Sequence, residues 1–187
     1  MPVGVFLQMG AHRLAIATRS HIGLVRDHNQ DCIAVDAACG AAVLADGMGG
    51  HRGGGVASQI AVATALAELQ LAQREAVADT MAGLLRIGHS VEVANGALLD
   101  KCETHPELTG MGTTVVVAAF RDRRVFYAHV GDSRLYRIRF GRMRRLTRDH
   151  SLIQRMIDDG VFVNRTEAHE AGIRDNVLTR SLGMQRQ

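Results

Sequence analysis

Ala41-Ala-Val-Leu-Ala-Asp46-Gly-Met-Gly-Gly-His51 decides how the rest of this chain reads. A short apolar run, the pattern of a buried strand, stops at an aspartate followed by glycines. A carboxylate at a strand end is held rigidly yet stays open to solvent, as a metal ligand must be. Glycines beside it let main-chain carbonyls and amides approach an ion or a phosphate that a side chain would block. Taken alone, Asp46-Gly47 is equally an ordinary turn pair.

Working outward, Cys32-Ile-Ala-Val-Asp36 reads as a strand paired with Ala41-Ala-Val-Leu-Ala45 across a turn at Gly40, and Arg13-Leu-Ala-Ile-Ala-Thr18 alternates like another strand. Residues 1–12 include an apolar run at 3–7 but read as a flexible lead-in, which leaves 13–187 as one domain. Helical spacing fills residues 56–71 and again 79–102, the second with Asp79 as N-cap and Met81, Leu84, Leu85, Val91, Ala94 and Leu98 as its apolar stripe. From Gly112 the period changes. Thr113-Thr-Val-Val-Val-Ala-Ala-Phe120 is the run of a strand covered on both faces, and Val125-Phe-Tyr-Ala-His-Val130 follows the charged turn Arg121-Asp-Arg-Arg124. Residues 134–140 alternate, with Tyr136, Ile138 and Phe140 on one face and Arg137 and Arg139 on the other, and Gly141 turns them back into 143–146. Ser151-Leu-Ile-Gln154 opens a short helix ending near Gly160, and the polar, irregular residues 161–176 read as a mobile flap. The second helix, the 113–120 strand and the hairpin through Phe140 and Gly141 are the expected core.

The bulk composition bounds the function. A chain of 187 residues that is 47% apolar and 22% charged is long enough and apolar enough for a globular domain with a real core. Aromatic residues reach only 4%, with no Trp, so stacking surfaces for bases or sugars are poorly supplied. The net charge of +3 is mild but uneven: ten arginines fall between Arg121 and Arg148, while Lys101 is the sole lysine. Such a stripe suits phosphoprotein substrates, anionic lipid or nucleic acid, or is a solvated hairpin face. Nucleic acid is disfavoured by the few aromatics and by the lack of a helix-turn-helix or finger signature. Three cysteines, Cys32, Cys39 and Cys102, make no CxxC pair and fit a reducing compartment. No run is long enough to span a membrane, and the expected location is cytoplasmic.

Around the opening stretch lie Gly23-Leu-Val-Arg26-Asp-His-Asn-Gln30-Asp31, Gly110-Met-Gly-Thr-Thr114, Val130-Gly-Asp-Ser-Arg134, Leu146-Thr-Arg-Asp-His-Ser151 and Val177-Leu-Thr-Arg-Ser-Leu-Gly183. Those elements, in that order, resemble the bacterial branch of the metal-dependent serine/threonine protein phosphatases, the PPM or type 2C family, from about Thr18 to the end of the chain. The resemblance implies an α+β fold with a central antiparallel β-sandwich flanked by helical layers. It also implies hydrolysis of phosphoserine and phosphothreonine in proteins by a water that two metal ions activate, with Mn2+ or Mg2+ as cofactor, two or three per complete site.

On that resemblance Asp46 is the bridging metal ligand and a catalytic residue, and the Gly47 carbonyl binds one of the ions. Arg26 holds the substrate phosphate and counts as catalytic too, its planar fork suiting two phosphoryl oxygens. Asp31 matches the second acid of the family's Glu-Asp pair, with Gln30 in the glutamate's place, an uncharged substitute that weakens the hold on that ion. Asp132 helps hold an additional, weaker metal, or is a turn aspartate bonding local backbone. Met48 stands where eukaryotic members place a proton-donating histidine, which leaves that task to water, and His51 reads as structural or flap-facing. Gly112-Thr113-Thr114 lets its strand pack closely under the site and takes no catalytic role. Family members continue past Thr179-Arg-Ser-Leu-Gly183 into strands bearing a further Asp-Gly and an Asp-Asn. By that comparison the 13–187 domain is incomplete at its C-terminus and lacks its last strands and metal-ligand aspartates. The implied partners are phosphorylated proteins of a cognate serine/threonine kinase. The alternative is a catalytically impaired phosphatase-like module that binds a phosphoprotein or signalling partner.

Overall fold

A computed structural model describes residues 3–9, 12–72, 79–121 and 123–184. Its centre is the strand read first. β3 (Asp31–Asp36) and β4 (Ala41–Met48) form an antiparallel hairpin in which Cys32 faces Ala45 and Asp31 faces Asp46. Gly40 closes it with φ +60°, and the Asp36 carboxylate accepts the Cys39 N–H at 2.9 Å. β6 (Val115–Arg121) pairs with β4 and with β7 (Arg124–Val130), while the short β5 (Gly112–Thr113) pairs with the end of β4. Asp122, in the charged turn between β6 and β7, lies outside the described residues.

Two long helices cover one face of this sheet, α1 (Gly50–Ala72) and α2 (Thr80–Thr104). The period-2 rows Ala41, Val43, Ala45 and Val115, Val117, Ala119 meet Ala57, Ala61, Ala65 and Leu69 from α1 and Ile87, Val91, Ala94 and Leu98 from α2. Alanines on both sides let helix and sheet approach closely, and each buried aliphatic chain contributes about 1.5–3 kcal/mol. Asp79 caps α2 by accepting the Ala82 N–H at 2.8 Å.

The first turns of α2 differ from the expected stripe. Met81, Leu84 and Leu85 are exposed, and Gly83 and Ile87 face the core instead. The Phe126 ring sets this register, since a Cβ on Gly83 would lie 2.7 Å from its edge. α1 also starts earlier than its apolar run, because the glycines at its head serve as helix.

On the opposite face the expected lead-in is corrected. β1 (Val3–Met9) and β2 (His12–Thr18) make an antiparallel hairpin, with Val3 against Thr18 and Met9 against His12. Main-chain pairing gives residues 3–9 a full set of partners, which no reading of 1–12 as loose chain anticipates. β2 lays Ile16, Ala17 and Thr18 over Ile33, Val35, Leu44, Val116 and Ala118 across a cleft of about 330 Å³, a second layer over the sheet.

β8 (Tyr136–Arg139) and β9 (Arg142–Arg145) form a separate two-stranded ribbon. The turn at Gly141 is as read, but the ribbon is not core: every residue of both strands is exposed, and so is Phe140 in the turn, at 95%. Residues 161–176 are not irregular either. After α3 (Leu152–Asp158), capped by Ser151 on the Gln154 N–H, comes α4 (Arg165–Glu170) with Ala168 buried. Asn164 caps α4 through the Glu167 N–H at 3.0 Å, and Glu167 reaches back to the Val163 N–H at 2.7 Å. Among the described residues no helix is long and apolar enough to cross a membrane.

Candidate functional site

The register of β3 on β4 places Asp31 directly opposite Asp46. Val43 and Ala45 point to the helices, so by alternation Asp46 and its partner point to the other face. The main chain of Asp46 is clamped. Its N–H donates to Thr114 Oγ1 at 3.0 Å, and its carbonyl accepts the Thr114 N–H and the Thr113 hydroxyl, each at 2.9 Å. The Thr114 hydroxyl in turn meets Ser133 Oγ at 2.7 Å. Thr113 and Thr114 thus hold the strand end rigidly, a positioning role larger than the close packing read from Gly112-Thr113-Thr114.

Glycines complete this clamp. A Cβ on Gly47 would sit 1.9 Å from the Gly54 carbonyl oxygen, and one on Gly49, at φ +124°, would sit 2.8 Å from the Met111 Cα. The head of α1 therefore lies directly on the end of β4. Gly47 also donates its N–H to the Gln30 carbonyl at 3.2 Å, and the Gln30 amide oxygen lies beside Gly54. These glycines are required by main-chain packing first. The side chain of His51 lies outside the described residues.

Arg26, Gln30, Asp46, Gly47 and Asp132 line one cleft of about 520 Å³, together with Met48, Thr114, Asn176 and Leu178. Asp31 joins them through its pairing with Asp46. Partial desolvation at the cleft floor raises the Asp46 carboxyl above its ordinary value; the charge and hydrogen bond of Asp31 and the charge of Asp132 raise it further, and Arg26 pulls it down. The charge of Arg26 offsets this crowding of acids only in part, and their hard oxygen donors, with main-chain carbonyls, suit Mn2+ or Mg2+. Among the described residues no three His, Cys, Asp or Glu side chains converge tightly enough to hold an ion unaided.

The turn that carries Asp132 is held from below. Gly131, at φ +98°, donates its N–H to His150 Nδ1 at 3.2 Å and accepts the His150 N–H at 3.0 Å. A Cβ there would strike the Thr114 side chain at 2.6 Å. The His150 ring stacks on His129 at 4.8 Å, and burial, then the charges of His129 and Arg180, lower its pKa despite Asp149.

Asp149 is the residue that the sequence reading passed over. Its side chain is 1% exposed and takes a fork from Arg134, Nε at 3.0 Å and Nη2 at 2.6 Å, with Arg165 at 2.8 Å and Arg145 at 3.4 Å. Burial alone would raise this carboxyl, but the hydrogen bonds and charge of Arg134, with Arg145 and Arg165, outweigh it and hold it below its ordinary value. One signal could have revealed it: residues 133–148 carry seven arginines and no acid, and Asp149 is the first acid after them.

Comparison with known proteins adds an independent line. Residues 19–174 match the sequence profile described as protein phosphatase 2C. The serine/threonine protein phosphatase PstP of Mycobacterium tuberculosis is 38% identical over 170 residues, 91% of this chain but 31% of PstP, so the chain spans about a third of that relative. Protein phosphatase PhpP of Streptococcus pneumoniae is 35% identical over 176 residues, covering 91% of this chain and 68% of PhpP. Among solved structures, the M. tuberculosis serine/threonine phosphatase PstP/Ppp superposes with a TM-score of 0.75 at 33% identity, over 90% of this chain and 68% of that one. The catalytic domain of PstP in complex with two manganese ions gives 0.73 at 37% identity, over 88% and 65%. The chain's mixed architecture of antiparallel sheet and helices matches these two solved structures.

Proposed function

The chain belongs to the protein phosphatase 2C family, and from that premise we propose that it serves the hydrolysis of phosphoserine and phosphothreonine in proteins. The observation that carries this reading is the pair Asp31–Asp46 at the floor of a cleft that also receives Arg26. Asp46 and the Gly47 carbonyl, with Asp31 and Gln30 beside them, are the groups that would hold two divalent ions, and Asp132 would help hold a third. Manganese bound in the PstP catalytic domain supports that assignment. When bound, such ions neutralise phosphoryl charge and make a water nucleophilic near neutral pH.

The chain's own residues do the rest. Arg26 orients the phosphoryl group with two parallel N–H donors and offsets its charge. Partial burial, Asp31 and Asp132 disfavour the Asp46 carboxylate, so a cation held there would favour its charged form. Thr114, locked to Asp46 and to Ser133, keeps the two strand-end turns in a fixed relation. This reading also carries a cytoplasmic location and phosphoprotein substrates supplied by a cognate serine/threonine kinase.

Asp46→Asn tests it. Calorimetric titration with Mn2+ should show affinity reduced by roughly two decades or more, at about 1.4 kcal/mol per decade, and phosphothreonine-peptide hydrolysis should vanish. Unchanged Mn2+ binding would move the metal site elsewhere. A second reading, a catalytically impaired module that binds phosphoproteins, rests on the uncharged Gln30 beside Asp31. Mn2+-dependent hydrolysis of a small aryl phosphate separates the two.

A further inference from the structure

Seven arginines lie between Ser133 and Asp149, and the structure divides them. Arg134 and Arg145 are held by Asp149, and Arg148 by Asp158. The other four, Arg137, Arg139, Arg142 and Arg144, stand exposed on β8 and β9 with no ion-pair partner among the described residues. The ribbon's register sets Arg137 opposite Arg144 and Arg139 opposite Arg142. All four guanidinium side chains therefore rise from one face. Like charges directly across a ladder work against strand pairing, and nothing within the ribbon relieves them.

The ribbon is nevertheless firmly seated. Arg134 and Arg145 tie its two legs to the same buried carboxylate. Leu146 N–H bonds the Leu135 carbonyl at 2.8 Å, Leu135 N–H bonds the Thr147 hydroxyl at 3.1 Å, and the Tyr127 hydroxyl bonds the Leu146 carbonyl at 3.1 Å. Asp132, in the cleft, lies seven residues before Arg139, no more than about 25 Å of extended chain. A positively charged platform is thus held at a short, fixed span from the phosphate cleft.

We propose that the Arg137–Arg139–Arg142–Arg144 face is a docking surface for an acidic segment of the phosphoprotein substrate, one lying within about eight residues of the phosphorylated side chain. The inference rests on the phosphatase reading above and adds a substrate class to it. Charge complementarity selects the occupant. A membrane fits poorly, since Ile138 and Met143 project from the face opposite the arginines and one planar surface cannot take both. Nucleic acid fits poorly too, since Tyr136 lies on that same opposite face and leaves no aromatic platform among the arginines.

The test uses the full chain and a fluorescent, unphosphorylated peptide of eight Asp and Glu residues, read by anisotropy at moderate salt. Converting Arg137→Gln, Arg139→Gln, Arg142→Gln and Arg144→Gln together should weaken binding at least about tenfold, and a four-lysine counterpart should keep most of it. For a phosphothreonine peptide with a nearby acidic tract, the glutamine variant should raise KM and leave kcat unchanged. Its hydrolysis of a small aryl phosphate should also be unaffected. Equal peptide affinity in both proteins, or tighter binding of the wild-type chain to phosphatidylserine vesicles or duplex DNA than to the peptide, would overturn the proposal. Failure of the wild-type chain to hydrolyse aryl phosphate would sink the phosphatase reading alone, because anisotropy still reports on the docking surface.

Discussion

Two consecutive hairpins in this chain follow opposite rules. β6–β7 is built by burial: Val115 to Ala119 are each at most 8% exposed, and Phe126 closes the row against Gly83 on α2. β8–β9, six residues further on, has no covered residue in either strand. Both have alternating or β-branched residues around a turn, so pattern alone assigns both as strands. What separates them is what comes to rest on them. The first hairpin receives two helices. The second is fastened at its base by one buried carboxylate and folded back at its tip by two residues with positive φ, Phe140 at +50° and Gly141 at +70°. Strand propensity and strand burial are therefore separate properties, and only the second says where the core is.

Two phenylalanines give the strongest way to break this comparison. Phe126→Ala should destabilise the fold by about 3–5 kcal/mol, as removal of a buried aromatic ring does. Urea unfolding should show a lower midpoint with little change in slope; a loss under about 1 kcal/mol would mean that the helix layer does not depend on that contact.

Next comes the base of the second hairpin. Asp149→Asn removes the charge that three arginines share, and about 3 kcal/mol should be lost near neutral pH. The sign with pH follows from the lowered carboxyl. Its contribution is present above its unfolded value of 3.8 and disappears as pH falls through the lower native value. The gap between wild type and variant should thus close below about pH 4. A gap of constant size from pH 7 to pH 3 would show that packing, not charge, is what Asp149 provides.

The smallest effect has the opposite sign. Phe140 holds a left-handed conformation that costs a bulky side chain about 1–2 kcal/mol, and its ring is 95% exposed, so it recovers little by burial. Phe140→Asn should leave stability unchanged or raise it by up to about 1 kcal/mol. Thermal unfolding that shows a clear loss would mean that the ring has a partner.

Much of the frame was legible because local chemistry announces it. Asp79 and Ser151 cap the helices they were read to cap, Gly40 and Gly141 close their hairpins, and Arg26, Gln30, Asp46, Gly47 and Asp132 meet in one cleft. The misses share a cause. β1 is defined by main-chain pairing with a neighbour, and α4 by a cap at Asn164 and an arginine reaching Asp149; neither shows in hydrophobic period. Met81, Leu84 and Leu85 carry the right residue type on the wrong side of α2, because a glycine that admits Phe126 outweighs three aliphatic residues in setting the register. The arginine run before Asp149 pointed to it, but which arginines it gathers, Arg134, Arg145 and the distant Arg165, is set by the fold and not by local sequence.

Gly47 and Gly54 touch where no Cβ could fit. That contact joins the end of β4, the second strand of its hairpin with β3, to the first helix, and it would be needed whether or not any phosphate were ever cleaved. A descendant of this chain that lost its chemistry could exchange Asp46 for a neutral residue at little cost to its shape. It could not exchange either glycine without moving a helix. The glycines of Asp46-Gly-Met-Gly-Gly are thus a signature of architecture, and in any related chain the acids beside them are the better witness to catalysis.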